Sequence, residues 1–135
     1  MKTMDLIQEL YFVATPEQVY DSIMIQKLHA EITNSDVAIE NEINTAFSAY
    51  NNYILGNNVL LDKPTLIVQE WRAVEENWPD YHLSTVQFKI QPSEEGAHLT
   101  FIHKGIPEEY FESISTGWDE YYWKPMKAFY KSHPS

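Results

Sequence analysis

The chain has 135 residues, 44% hydrophobic and 14% aromatic, a composition that supports a real core and excludes a disordered chain. Nine basic against 20 acidic residues leave a net charge of −11, a poor match for nucleic-acid backbones or anionic membranes. With no cysteine, disulfides, thiolate nucleophiles and cysteine-bound zinc are excluded, and no apolar run approaches the ~18 residues of a membrane span. The start, MKTMDLIQEL, lacks the long apolar core of a signal peptide, so one cytoplasmic domain over 1–135 is the expectation.

Leu6 to Val13 is β-branched and aromatic enough for a first strand. Thr15, Pro16 and Gln18 then spell a helix start, with an N-cap, a first-turn proline and the third member of a capping box. Val19, Tyr20 and Ile23 give that short helix its buried side, and a second short helix is expected over Lys27 to Ile32. From Asp36 the apolar period changes to two, with Val37 and Ile39 alternating with polar neighbours. Phe47 to Tyr50 and Tyr53 to Leu61 flank Asn51-Asn52, which predicts a hairpin with a two-residue turn. Strands are further predicted at Thr65 to Ala73, Tyr81 to Gln91 and Ala97 to Lys104.

The last element is Gly105 to Lys131. Phe111, Ile114, Trp118, Tyr122, Pro125 and Phe129 recur at steps of three and four and draw one stripe down a long helix, with Pro125 expected to bend it. Glu108, Glu109 and Glu112 suit its N-terminal end, where the helix dipole favours negative charge. The fold class is therefore α+β: an antiparallel sheet that buries its inner face by curling around this rod.

Strand parity selects the candidate functional residues. His82 and Ser84 share a face with Val86, Phe88 and Ile90, while His103 shares one with Leu99 and Phe101. These polar members sit at one end of each inner row, the expected mouth of a partly hollow, partly polar interior. His82 and His103 there could hold a polar ligand group or supply a base near neutral pH; the competing reading is two hydrogen-bonded histidines that close one end of the core. Phe47, Trp71, Trp118 and Tyr122 are candidates to line a pocket for an apolar ligand. His98 and His103 differ by an odd number and face opposite sides, so no metal site is expected; no glycine-rich phosphate loop is present, and no cofactor is expected either.

Taken together the pieces resemble a known family. TPEQVY near the start, Gly56, Pro64 and Trp71-Arg72 in the middle, and Trp78-Pro79 followed by His82 are similar to its successive motifs. Gly105-Ile106-Pro107-Glu108, Gly117-Trp118 and Tyr121-Tyr122 complete the match. The family is the activator of the heat-shock chaperone ATPase, in its C-terminal domain, within the START-like (birch-pollen-allergen-like, SRPBCC) helix-grip superfamily. The resemblance implies a curved antiparallel sheet of six to seven strands wrapped around a long C-terminal helix, with two short helices after the first strand. Asn44-Thr45 stands where many relatives carry Gly-Gly. The activator's separate N-terminal domain, which takes a main part in stimulating the chaperone, has no counterpart in these residues.

Three functional readings follow. The first is a non-enzymatic domain whose cavity binds a small apolar or amphipathic molecule through Phe47, Trp71, His82, Ser84, His103, Trp118 and Tyr122. The second, implied by the resemblance alone, is a co-chaperone-type interaction module whose partner is a heat-shock chaperone. The third is a cyclase- or hydrolase-type enzyme using a cavity histidine, although neither an activated nucleophile nor a complete acid–base pair is visible.

Overall fold

The computed structural model describes residues 1–133. Strand β1 (Thr3–Phe12) is followed by helices α1 (Pro16–Met24) and α2 (Gln26–Thr33). Five strands come next: β2 (Ala46–Ala49), β3 (Ile54–Asp62), β4 (Leu66–Ala73), β5 (Ser84–Ser93) and β6 (Gly96–Pro107). They form one curved six-stranded sheet in the order β1-β6-β5-β4-β3-β2, with every neighbouring pair antiparallel. The first strand pairs with the last, from Thr3 opposite Pro107 to Phe12 opposite Ala97.

Local chemistry accounts for the helix starts and stops. The Thr15 hydroxyl accepts from the Gln18 amide at 3.1 Å while the Gln18 side chain accepts from the Thr15 amide at 2.7 Å, the reciprocal capping box expected from the sequence. Asn34 ends α2 in the left-handed conformation, with φ 52°. Asn44 does the same ahead of β2, at φ 61°. Asparagine is among the few residues that tolerate this region.

Three strand boundaries depart from the sequence reading. Val37 and Ile39 are buried, but the segment makes only one bridge, between Ala38 and Ser48, rather than a strand. The β2–β3 connection is four residues, Tyr50 to Tyr53, with Tyr50, Asn51 and Asn52 all at positive φ; a two-residue turn would have needed only the asparagines there. Strand β5 begins at Ser84 and not at Tyr81. Tyr81 is itself at φ 62°, and the indole N–H of Trp78 donates to the His82 carbonyl at 2.9 Å, which holds 81–83 in the loop.

The terminal helix runs without a break from Glu108 to Ser132, but not as plain α-helix. A 3₁₀ turn (Glu108–Tyr110) leads into α3 (Phe111–Trp118), a π-turn (Asp119–Trp123) and α4 (Lys124–Ser132). Within the π-turn the Lys124 amide bonds back to the Asp119 carbonyl, five residues away. The wider turn sits directly ahead of Pro125, whose missing N–H and bulky ring are poorly accommodated in a regular α-helix. It also shifts the buried stripe by one position. Ile114, Trp118 and Tyr122 are buried as the period predicts, but the stripe then continues through Trp123, Met126 and Tyr130 in place of Pro125 and Phe129. The Trp118 and Trp123 indoles stack across the turn, 5.6 Å apart and 17° from parallel.

Between helix and sheet lies the core, with Val19, Ile67, Val86, Leu99, Phe101 and Ile106 all completely excluded from solvent. Gly56 is fixed by the same packing. A Cβ there would fall 2.0 Å from the Glu70 carbonyl oxygen and 2.7 Å from the ring of Phe47, its partner across β2 and β3.

Candidate functional site

Between the sheet and α3 is a cavity of about 440 Å³. It lies where β3 begins at Ile54 and β4 gives way to the loop at Glu75. Its floor is apolar: Ile54, Trp71, Ile114, Trp118 and Tyr122, each no more than 6% exposed. The Trp71 and Trp118 rings lie 6.0 Å apart and Tyr122 lies 4.8 Å from Trp118. Ser113 and Gly117 form the helix wall, and at Gly117 the absent side chain leaves room above the indoles. The rim carries Tyr50, Tyr53, Tyr121 and Glu75. Tyr50 and Tyr121 face one another at 4.8 Å, and the Tyr50 backbone is left-handed, at φ 50°. The Tyr53 hydroxyl donates to Glu75 Oε2, and burial together with that carboxylate raises the phenol's pKa above its usual value.

Behind the floor is a closed chain of polar groups. Trp118 Nε1–H donates to His103 Nδ1 at 3.0 Å, which leaves Nε2 as the protonated nitrogen of His103. That nitrogen donates to Ser84 Oγ at 2.8 Å, and the Ser84 hydroxyl donates to the Trp71 carbonyl at 2.9 Å. Burial lowers the His103 pKa to about 3, so the ring is neutral. A second locked histidine lies nearby. His29 Nδ1–H donates to the Ile23 carbonyl and its Nε2 accepts from the Tyr122 hydroxyl, both at 2.9 Å. Burial lowers the His29 pKa to about 4 and raises that of Tyr122.

Residues 13–131 match the sequence model of a family described as activator of Hsp90 ATPase homolog 1-like protein. The chain belongs to this family. It is 38% identical over 121 residues to the activator of 90 kDa heat shock protein ATPase homolog of Dictyostelium discoideum, an alignment covering 87% of this chain and 30% of the relative. The human activator of 90 kDa heat shock protein ATPase homolog 1 is 25% identical over 116 residues, covering 86% and 34%. The chain thus spans about a third of the length of the curated relatives it matches. Among solved structures it is similar to PFC0360w, an HSP90 activator from Plasmodium falciparum, with a TM-score of 0.80 at 20% identity over 94% of each chain. It is also similar to MLL2253 from Mesorhizobium loti, with a TM-score of 0.84 at 12% identity over 98% and 100%. At such identities these structures establish the helix-grip fold.

Within this activator-family fold the seven residues selected from the sequence separate into three groups. Trp71, Trp118 and Tyr122 come together as the cavity floor. Ser84 and His103 bond to one another behind it, with the His103 ring 4.8 Å from Trp71. Phe47 packs over Gly56, and His82 Nε2 bonds the Gly105 carbonyl at 2.7 Å, so neither reaches the cavity. His82 and His103 are therefore not a pair. Four rim residues escaped the sequence reading as site candidates: Tyr50, Tyr53, Glu75 and Tyr121. Only Tyr50 and Tyr121 carried a usable signal, one beside the asparagine turn and the other one helical turn beyond Trp118. Among the described residues no cluster of three metal-ligating side chains occurs, and no helix is long and apolar enough to cross a membrane.

Proposed function

We propose that this member of the activator family binds a small apolar or amphipathic molecule in the pocket between its sheet and terminal helix. The observation that carries the reading is the cavity of about 440 Å³ over the Trp71 and Trp118 indoles, within the range of roughly 300–1,000 Å³ usual for small-molecule sites. A thermal-shift screen of small aromatic and alkyl compounds tests it. Compounds that stabilise the native chain should lose their effect in Gly117→Leu, whose side chain would fill the pocket from the helix wall. Hits that survive this substitution, or a screen without hits at millimolar concentration, overturn the reading.

A second reading is favoured by the names of the curated relatives, three of which are called activators of the 90 kDa heat shock protein ATPase. Here the chain would dock on a chaperone of that class. Stimulated ATP hydrolysis by the purified chaperone, or saturable binding below ~100 μM, supports it; neither effect at that concentration removes it. Histidine catalysis through His82 or His103 has less support from the geometry, because both ring nitrogens of His103 are engaged inside the protein and His82, bonded through Nε2 to the Gly105 carbonyl, lies outside the cavity lining.

A further inference from the structure

Resting on the pocket reading, we infer that the ligand class is an amphipathic organic cation: an apolar, preferably aromatic, tail bearing an ammonium or amidinium head. The floor dictates the tail. Two of the three polar side-chain atoms there are already engaged inside the protein, Trp118 Nε1 with His103 and the Tyr122 hydroxyl with His29, while the Trp71 indole N–H makes no hydrogen bond among the described residues. Apart from that one indole N–H, a guest on the floor meets carbon and ring faces, so a charged or donor group buried there would lose its water partners without replacement.

The rim dictates the head. Glu75 is the sole formally charged residue of the lining, and no lysine, arginine or histidine shares it. One carboxylate oxygen takes the Tyr53 hydroxyl, while Oε1 receives no hydrogen bond among the described residues. An anion would meet this carboxylate unscreened by any cationic side chain of the pocket. A neutral hydroxyl could donate to the open oxygen, but without the charge that strengthens a hydrogen bond to a carboxylate. A cation supplies the missing donor, and it does so among electron-rich ring faces. Tyr50 and Tyr121, their rings inclined by 51° at 4.8 Å, stand on the same rim, and aromatic faces attract an ammonium group within about 6 Å. The chain's net charge of −11 draws cations toward the surface as a whole.

The test compares three probes of one length that differ in head-group charge: 4-phenylbutylammonium, 4-phenylbutan-1-ol and 4-phenylbutanoate. Each is titrated at pH 7 against tryptophan fluorescence and checked by ligand-observed NMR. The ammonium should bind at least tenfold more tightly than the alcohol, and the carboxylate most weakly. Glu75→Gln retains an acceptor for Tyr53, and it should bring the ammonium down to the alcohol's affinity while leaving the alcohol unchanged. Equal affinities for ammonium and alcohol, tighter binding of the carboxylate, or a preference that survives Glu75→Gln overturns the cation assignment and leaves the pocket reading standing. No binding of any probe at millimolar concentration overturns both. The charge series on the unmodified protein is decisive by itself should the variant fold poorly.

Discussion

The indole nitrogen of Trp118 donates to Nδ1 of His103 at 3.0 Å, joining the middle of the terminal helix to the inner face of β6. Both residues are buried, at 4% and 0% exposure. Trp118→Phe keeps an aromatic ring but strands Nδ1 without a donor and leaves part of the indole's volume empty. It should destabilise the fold by about 3 kcal/mol. Urea denaturation of the two proteins measures this, and a loss under ~1 kcal/mol would show that the bond contributes little.

The same burial makes stability depend on pH. His103 and His29 titrate at about 3 and about 4 when folded, against an ordinary value of 6.5. Between those limits the unfolded chain binds protons that the native one refuses, so stability rises with pH through the window and falls as pH drops below 6.5. Each histidine contributes a slope of up to about 1.4 kcal/mol per pH unit. Urea midpoints at pH 7, 6 and 5 should fall in step, over a range above most carboxylate titrations. His29→Gln should reduce the slope by about half between pH 6 and 5, and an unchanged slope would clear His29 of the effect.

The phase of the buried stripe gives a third expectation. Trp123 is 1% exposed and donates to Gln8 Oε1 at 2.8 Å, while Phe129 is only partly buried against the core. Trp123→Ala should cost about 4 kcal/mol and Phe129→Ala about 1 kcal/mol. An uninterrupted α-helix would rank them the other way, so the order of the two denaturation midpoints decides whether the π-turn is present.

At Asn44 the backbone sits at φ 61°, and its amide donates to the Asn58 carbonyl at 2.8 Å. Asn44→Gly should change stability by less than about 0.5 kcal/mol, whereas Asn44→Ala should lose about 1 kcal/mol to the left-handed conformation. Equal effects of the two would mean that the conformation relaxes on substitution.

Gly117 offers the opposite case. It lies within a helix, and an added Cβ would meet only the Tyr121 ring, at 3.7 Å, an ordinary contact. Gly117→Ala should therefore raise stability by up to about 1 kcal/mol through helix propensity. A thermal melt reads the gain directly.

How much of this was legible in the sequence depends on the range over which each signal acts. Thr15, Pro16 and Gln18 lie within one helical turn of each other, so their capping box could be read directly. Two-residue parity placed Ser84 and His103 on the inner face, and both are buried there. Parity is blind to partners, however, and it set His82 beside His103 although Tyr81 leaves the ladder before the strand begins. The π-turn was hidden for a similar reason. Asp119 to Trp123 holds three consecutive aromatics, which fit either helical phase, and only packing against Gln8 and Phe101 selects Trp123. His29 went unnoticed as a site residue because Tyr122, to which it bonds, lies 93 positions away. Glu75 had no pattern at all, being a loop residue whose meaning comes from Tyr53 opposite it.

The terminal helix is fastened by side-chain hydrogen bonds to four different elements: Trp118 to His103 of β6, Tyr122 to His29 of α2, Trp123 to Gln8 of β1, and Tyr130 to Ser22 of α1. No single local opening releases it, because lifting any one turn strains anchors on the others. Its amides from Trp118 to Tyr130 should therefore exchange with deuterium at one shared rate set by whole-molecule unfolding, with only the turn beyond Tyr130 fraying independently.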